Sequence, residues 1–457
     1  MFVGRQLAIA PDPLAIAAHL QRAGADRLAL LHASDRTPGS FARYSFVACD
    51  PDRESHALDP YESDPTPRLP GTFGHVPRWI GILPYDAFRH LERPAWVRPD
   101  TRPKPLVQRP CWLRYPAIVV VDHLEGRVFA VSITSAHLGN LLQRLGKGPI
   151  EGDCFTISRK PTRIEVASSE PDYAHVDRIR AAKELIACGD LYQVNLARRL
   201  RVALVQGDPL DVYARMSQAA PSSFGACLHI SRELSVVSTS PELLLRAETG
   251  TTANSEHAYA NSPIHSNRFT RLYTCPIKGT RPRGKGADQD RILVRELDHD
   301  PKENAELTMI IDVERNDLGR VASPGSVRVV RGPEVVTHRT VHHREALLTA
   351  YTKTSVSRRE VLEAMLPSGS VTGAPKVRAM EVIASFEAYR RGLYTGGFGS
   401  LNHDGSMTLA MAIRTAVFHG REGEYFTGGG IVADSDPLRE LEETRWKAIQ
   451  LEKVARS

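Results

Sequence analysis

The chain has 457 residues, 42% hydrophobic and 25% charged, which predicts an ordinary globular protein with a sizeable core. A net charge of +6, from 59 basic and 53 acidic residues, is too mild to indicate a nucleic-acid binder and suits an anionic small substrate. The six cysteines are scattered without a Cys-x-x-Cys pair. That argues against a disulfide framework or zinc site and fits free thiols in a reducing, cytoplasmic setting; the apolar run 117–121 is too short for a membrane span.

In chain order, the first residues lead into a capped helix rather than a signal peptide. Asp12-Pro13 is an N-cap with proline at the first helical position, predicting a helix over 13–23. Strands are predicted over 28–32, 44–48, 79–83, 117–122 and 128–133 from their β-branched and aromatic content. Residues 50–75, rich in proline and charge, predict an exposed loop. A linker over 147–161 divides an N-terminal region, 1–150, with no derivable chemistry, from a second region, 165–457.

The second region opens with a helix over 171–188 stopped by Gly189. In a strand over 192–202, Val194, Leu196, Leu200 and Val202 share one face with Arg198, while Gln193, Asn195 and Ala197 share the other. Strands over 226–230 and 234–239 lead to Ser240-Pro241-Glu242. Residues 248–272 predict a polar surface insertion whose His257 and His265 lack ligand partners. Next comes Pro276-Ile277-Lys278-Gly279-Thr280-Arg281-Pro282-Arg283-Gly284, where glycines and prolines turn the chain. Lys278 is placed where a strand gives way to a loop. Desolvation beside other cations would make its amine a nucleophile; otherwise Lys278, Arg281, Arg283 and Lys285 form a solvated basic loop.

Asp300-Pro301 caps a helix with Leu307, Ile310 and Ile311 on its apolar stripe, ending at Asn316-Asp317-Leu318-Gly319. Glu303 and Glu306 project together from one side of it. The small-residue loop 367–376 opens onto a helix over 377–386, where exposed amides suit an anion without forming a Walker loop. In a strand over 407–418, Arg414 stands among alanines, with room to grip a carboxylate or to pair with a structural acid. A strand over 425–427 runs into Gly428-Gly429-Gly430, where a ligand can approach the backbone. Asp436-Pro437 caps the last helix, with Leu438, Leu441, Ala448, Leu451 and Val454 as its buried stripe. Its Glu440, Glu443 and Lys447 form either a salt-bridging surface row or, with Glu303 and Glu306, an oxygen-only Mg²⁺ site open to substrate.

Taken as an ordered set, Asp190 to Asn195, Ser240-Pro241-Glu242, Pro276 to Gly284, Arg315 to Val321, Thr372 to Lys376 and Gly428 to Thr444 resemble the chorismate-utilising enzymes. That family includes anthranilate synthase component I, aminodeoxychorismate synthase component I, isochorismate synthase and salicylate synthase. The resemblance covers about 170–455, with a weaker likeness at Arg43-Tyr44-Ser45-Phe46 and 79–85. It implies an α/β (α+β) fold of the anthranilate synthase component I type, two packed β-sheets surrounded by helices in one large unit. It implies Mg²⁺ held by Glu306 and Glu443, with Glu303 and Glu440 near it. Arg414 and Tyr394 would take the enolpyruvyl carboxylate of chorismate, and the amides of Gly428, Gly429 and Gly430 with Lys447 would clasp the ligand. Ser370 and Thr372 would line the pocket. His343 would lie near the ring, although Val341-His342-His343-Arg344 departs from the family's His-Leu-x-Ser pattern. Glu242 would be the general acid that protonates the departing C4 hydroxyl.

Two positions select the branch that the resemblance implies. Isochorismate and salicylate synthases carry a water-activating lysine where this chain has Gln193. Anthranilate synthases typically carry alanine at the position of Lys278, and aminodeoxychorismate synthases carry lysine. The expectation is therefore aminodeoxychorismate synthase component I. It converts chorismate and ammonia to 4-amino-4-deoxychorismate, on the way to 4-aminobenzoate and folate, through covalent addition of Lys278 at C2. Anthranilate synthase component I, in tryptophan biosynthesis, is the alternative, and a non-catalytic anion-binding protein is a third. No cysteine lies in a glutaminase-like nucleophile turn, so a separate glutaminase subunit is expected to supply ammonia. At 30–34, where some relatives bind tryptophan, His32 replaces the expected acidic residue and no such site is predicted.

Overall fold

Strand alternation resolves, in the computed structural model, into two large antiparallel sheets; the structure describes residues 3–35, 43–64, 75–91, 100–146, 162–249 and 269–455. Among these residues the larger sheet has twelve strands and the smaller ten. Both mix early and late segments of the chain. In the larger sheet, Ala29–His32 pairs with Phe224–His229, followed outward by Leu234–Ser240, Thr415–His419, Glu422–Ile431 and Gln193–Gln206. In the smaller, Pro77–Leu83 pairs with Gly397–Asn402, followed by Met407–Met411, Leu243–Glu248, Arg271–Cys275, Val341–Tyr351 and Ile277–Pro282. The regions 1–150 and 165–457 therefore share both sheets.

Apolar faces dictate the layering. Val120, Leu228 and Val236 of the larger sheet meet Ile80, Ile82 and Phe398 of the smaller in one buried cluster. The larger sheet's outer face packs on helices Pro13–Arg22, Ser135–Leu145, Pro209–Ala219 and Pro437–Ala455. The smaller sheet's outer face packs on Pro301–Val321 and Arg358–Met365. The result is helix, sheet, sheet, helix, the α/β architecture expected.

Local signals translate directly into elements. Asp12 accepts from the amides of Leu14 and Ala15, Asp300 from Lys302 and Glu303, and Asp436 from Leu438 and Arg439. Gly189 takes φ +81° after helix Asp172–Ala187. No helix among the described residues is long and apolar enough to cross a membrane.

Several expectations are corrected. Residues 50–64 are not simply exposed: Arg53–Ser55 is an edge strand, and Asp59 and Tyr61 are buried, with the Tyr61 hydroxyl donating to Asn402 O. The 147–161 linker and residues 250–268, with His257 and His265, lie outside the described residues; the flanks of that insertion are strands Leu243–Glu248 and Arg271–Cys275. Helix Pro301–Val321 runs past Gly319. Leu438 is 62% exposed, because it sits in the first turn of its helix, off the buried stripe. The single strand over 407–418 is two strands in different sheets, Met407–Met411 and Thr415–His419. The chain crosses between sheets over 412–414, with Arg414 at φ +51°. A non-glycine residue held there costs on the order of 1–3 kcal/mol, a strain that clusters at functional sites.

Candidate active site

Strand Glu422–Ile431 outruns its neighbour Thr415–His419, whose pairing ends at Ala416 opposite Tyr425. Beyond that point its strand partner is Gln193–Gln206 alone. The three glycines fall on this stretch. They are required for space, not for conformation, since none has positive φ. A Cβ on Gly428 would lie 3.0 Å from the Tyr394 hydroxyl. On Gly429 it would lie 3.1 Å from Glu440 Oε2 and 3.8 Å from Glu443 Oε1. On Gly430 it would lie 2.2 Å from Gln193 Nε2 and 3.6 Å from Lys278 Nζ. Bare backbone thus lets residues from four segments close around one strand end.

Lys278 does not end a strand. Ile277–Pro282 pairs with Val341–Tyr351 on both sides of it, with a register shift between Lys278 and Thr280. Gly279 makes that bulge at φ +79°, which re-aims the lysine. Lys278 acts electrostatically on the carboxylates Glu242, Glu306 and Glu443, together with Lys447 and Arg414 on the first, Lys302 on the second, and Lys447 and Lys302 on the third. Gln193 beside Lys278 is 1% exposed, and its Oε1 is buried without a hydrogen-bond partner.

Glu242 follows strand Leu234–Ser240 and is tied to the smaller sheet by Met411 N at 3.1 Å from its carbonyl. Its Oε1 accepts from Ser370 Oγ at 2.9 Å. Burial raises its pKa to about 7, although Ser370, Lys278, Lys447 and Arg414 act in the opposite direction. It is therefore an acid that keeps its proton near neutrality. Arg414, half-buried, acts electrostatically on both Glu242 and His343. Tyr394 is stacked on Phe426, with ring centroids 5.5 Å apart. His343 is 2% exposed, 2.9 Å through Nδ1 from Thr280 Oγ1; burial, then Arg414 and His338, push its pKa well below the usual value, so it is neutral.

Four carboxylates face one another from two helices. Burial raises the pKa of Glu303 and Glu306, and each is raised further by Glu443. Lys447 lowers that of Glu443, at 2.6 Å from its Oε1, and also donates to Gly428 O at 2.8 Å. Lys302 reaches Glu440 at 3.2 Å. This all-oxygen donor set fits a hard divalent cation with positions left for a ligand. It is an open set: among the described residues no three of these carboxylates bring oxygens within 4.8 Å of one another. The grouping that does is Glu54, His56 and Cys111, at the smaller sheet's far edge, where His56 Nε2 is already 3.0 Å from Glu54.

The 367–376 loop is not an exposed amide nest. Residues 367–374 are buried, the Ser370 amide is taken by Ser368 Oγ, and Lys376 pairs with Asp317. Thr372 donates its hydroxyl to Ser368 O at 2.9 Å, which ties the loop to itself. Sequence reasoning missed Ser368 and Glu314, which continue the hydrogen bonds of Ser370. The available signal was that Glu314 falls on the same stripe as Leu307, Ile310, Ile311 and Leu318, all buried.

A model of the chorismate binding enzyme family matches residues 28–256 and 265–453. The chain belongs to that family. It is therefore a chorismate binding enzyme, and the mixed α/β fold is that of the family's solved members. The anthranilate synthase component I of Streptococcus pneumoniae superposes with a TM-score of 0.74 at 26% identity, over 89% of this chain and 92% of that one. The anthranilate synthase component 1 of Aquifex aeolicus is 34% identical over 86% of this chain and 76% of its own length. A probable chloroplastic aminodeoxychorismate synthase of Oryza sativa is 31% identical over 74% of this chain and 39% of its own length.

Proposed function

We propose that this chain is the component I of an aminodeoxychorismate synthase, acting on chorismate in the cytoplasm. The observation that supports this reading is Lys278, an amine beside Gly430 and Gln193 and within the electrostatic reach of Glu242. Glu242 gives its proton to the C4 hydroxyl, which leaves as water while the Lys278 amine bonds to C2 and the ring double bond shifts. Ammonia then bonds to C4, the double bond shifts back, and the C2–nitrogen bond to Lys278 breaks. Nitrogen ends at C4 and the lysine is regenerated. Arg414 and Tyr394 orient the enolpyruvyl carboxylate. Glu306 and Glu443, with Glu303 and Glu440 beside them, would hold Mg²⁺, which supplies fixed positive charge for the ring carboxylate. A separate glutaminase subunit would supply the ammonia.

The relatives favour a second reading, anthranilate synthase component I, since that name is carried by the Aquifex protein and by the Streptococcus structure. Incubation with chorismate, Mg²⁺ and ammonium separates the two. The first reading expects 4-aminobenzoate only when a lyase for aminodeoxychorismate is added, and expects Lys278→Ala to lose it. Anthranilate from the wild-type chain without lyase overturns the first reading in favour of the second.

A further inference from the structure

Helix Pro301–Val321 buries a carboxyl that the proposed reaction does not use. Glu314 is 1% exposed, in a row of leucines and isoleucines, and has no cation at hydrogen-bond distance among the described contacts. Such a group is costly to bury unless its hydrogen bonds are made. Ser368 Oγ lies 2.6 Å from its Oε1, Ser368 Oγ and Ser370 Oγ are 2.9 Å apart, and Ser370 Oγ is 2.9 Å from Glu242 Oε1. Thr274 Oγ1 reaches its Oε2 at 3.3 Å. Four buried groups thus form an unbroken line from Glu242 to the interior of the helix layer.

The protons of that line can be counted. Three links need three protons, and the two serine hydroxyls supply two. The third sits on one of the two carboxyl oxygens in the line, and the proton that Glu242 gives to the leaving hydroxyl is a further one, on its other oxygen. With the proton on Glu242, the links run Glu242 to Ser370 to Ser368 to Glu314. With it on Glu314, all three run the other way. Both arrangements are fully hydrogen-bonded, so exchanging them leaves no buried polar group unpaired.

The charges around the two ends differ. Glu242 faces Lys278, Lys447 and Arg414. Glu314 faces Asp317, Lys376 and Glu242, and Asp317 is paired with Lys376 and also sees Arg320. Burial, with Asp317 next, raises the pKa of Glu314, as burial raises that of Glu242. Asp317 Oδ1 is buried without a partner, and Lys376 lines a groove of about 790 Å³, with Asn304, Thr308, Asp312 and Asn316, on the helix's other flank. The inner end of the line is thus separated from that groove by the Asp317–Lys376 pair.

We propose that Glu314 is a positioning residue that holds a reserve proton for Glu242, passed through Ser368 and Ser370. The inference rests on Glu242 acting as the acid on chorismate. When Glu242 has protonated the leaving hydroxyl, its Oε1 takes the Ser370 proton, Ser370 takes that of Ser368, and Ser368 takes that of Glu314. One proton moves, three hydrogen bonds reverse, and Glu314 is left as the carboxylate.

The test follows chorismate consumption, whatever the product, in Glu314→Gln, Ser368→Ala and Glu242→Gln. Glu314→Gln and Ser368→Ala are expected to lower kcat about tenfold with KM within twofold. They are also expected to move the alkaline limb of kcat down by roughly one pH unit, because the two carboxyls no longer share a proton. A bowed rate dependence on D₂O fraction in the wild type should become straight in both. If the glutamine variant does not fold, Ser368→Ala, which keeps both carboxyls, decides by the same readouts. Wild-type kcat, pH limb and D₂O dependence in a folded variant overturn the relay. If Glu242→Gln itself turns over chorismate normally, it is the acid assignment that fails.

Discussion

At Glu242 the decisive fact is a buried carboxyl with one serine at hydrogen-bond distance and cations acting at longer range. Its raised pKa has a definite sign. The protonated form is the donor, so kcat should be level below about pH 7 and fall tenfold per unit above it, measured as a pH–rate profile with ammonium in constant excess. The same shift means the folded state holds this proton more tightly than the unfolded chain. Stability from this group is therefore lost as pH rises from the ordinary carboxylate range through about 7. Glu242→Gln keeps the shape without the proton and should lower kcat by about 10²–10⁴-fold. Unaltered kcat in that variant would remove Glu242 from the chemistry. None of this was legible from Ser240-Pro241-Glu242 alone, since a carboxyl's surroundings come from the segments packed on it, here the 367–376 loop and the Lys278 strand.

Between elements, two contacts lock the loop that carries Ser370. Arg391 is fully buried against Glu387 at 2.7 Å and donates to Val371 O at 2.9 Å and Asn195 O at 2.8 Å. One side chain thus ties the loop to strand Gln193–Gln206. Arg391→Met leaves the buried Glu387 carboxylate without its cation, with the Ala197 amide still donating to it, and takes one donor from each carbonyl, a loss of about 3–5 kcal/mol read as a shift in urea midpoint. A shift below 1 kcal/mol would show that the pair is not holding these elements together. Gly369 is the second contact. A Cβ there would lie 2.0 Å from Val313 Cγ1, so Gly369→Ala must push the loop off helix Pro301–Val321. It should cost about 1–3 kcal/mol and lower kcat as well, because Ser370 moves with the loop. Loss of stability with kcat unchanged would separate the loop from the acid. Helix caps and most strand cores were readable at this scale, because a cap is settled within three residues. The break at 412–414 was not, because alternation looks the same whether a strand stays in one sheet or changes sheets.

For the molecule as a whole, each sheet joins a block of early strands to a block of late ones, at Ala29–His32 with Phe224–His229 and at Pro77–Leu83 with Gly397–Asn402, which predicts that the regions 1–150 and 165–457 cannot be separated. Removing residues 1–150 would leave Phe224–His229 and Gly397–Asn402 as uncovered edges and strip Ile80 and Ile82 from Phe398 in the cluster between the sheets. A fragment of residues 165–457 should show no cooperative thermal transition by circular dichroism. A cooperative melt together with chorismate turnover would restore two independent domains. Composition pointed to separable regions, and only the strand pairing joins them.

What the sequence determined by itself is what depends on near neighbours: the capped helices at Pro13, Pro301 and Pro437, the alternating strands, the glycine run, and a set of motifs specific enough to indicate a chorismate enzyme. The tertiary structure alone decided that Lys278 sits within a bulged strand among carboxylates. It also decided that Arg414 lies where the chain changes sheets, and that Glu314 and Ser368 extend the acid inward. Each of these rests on pairing between segments far apart in the chain. Such pairing forms only when two sheets bury their apolar faces together, and no local pattern encodes it.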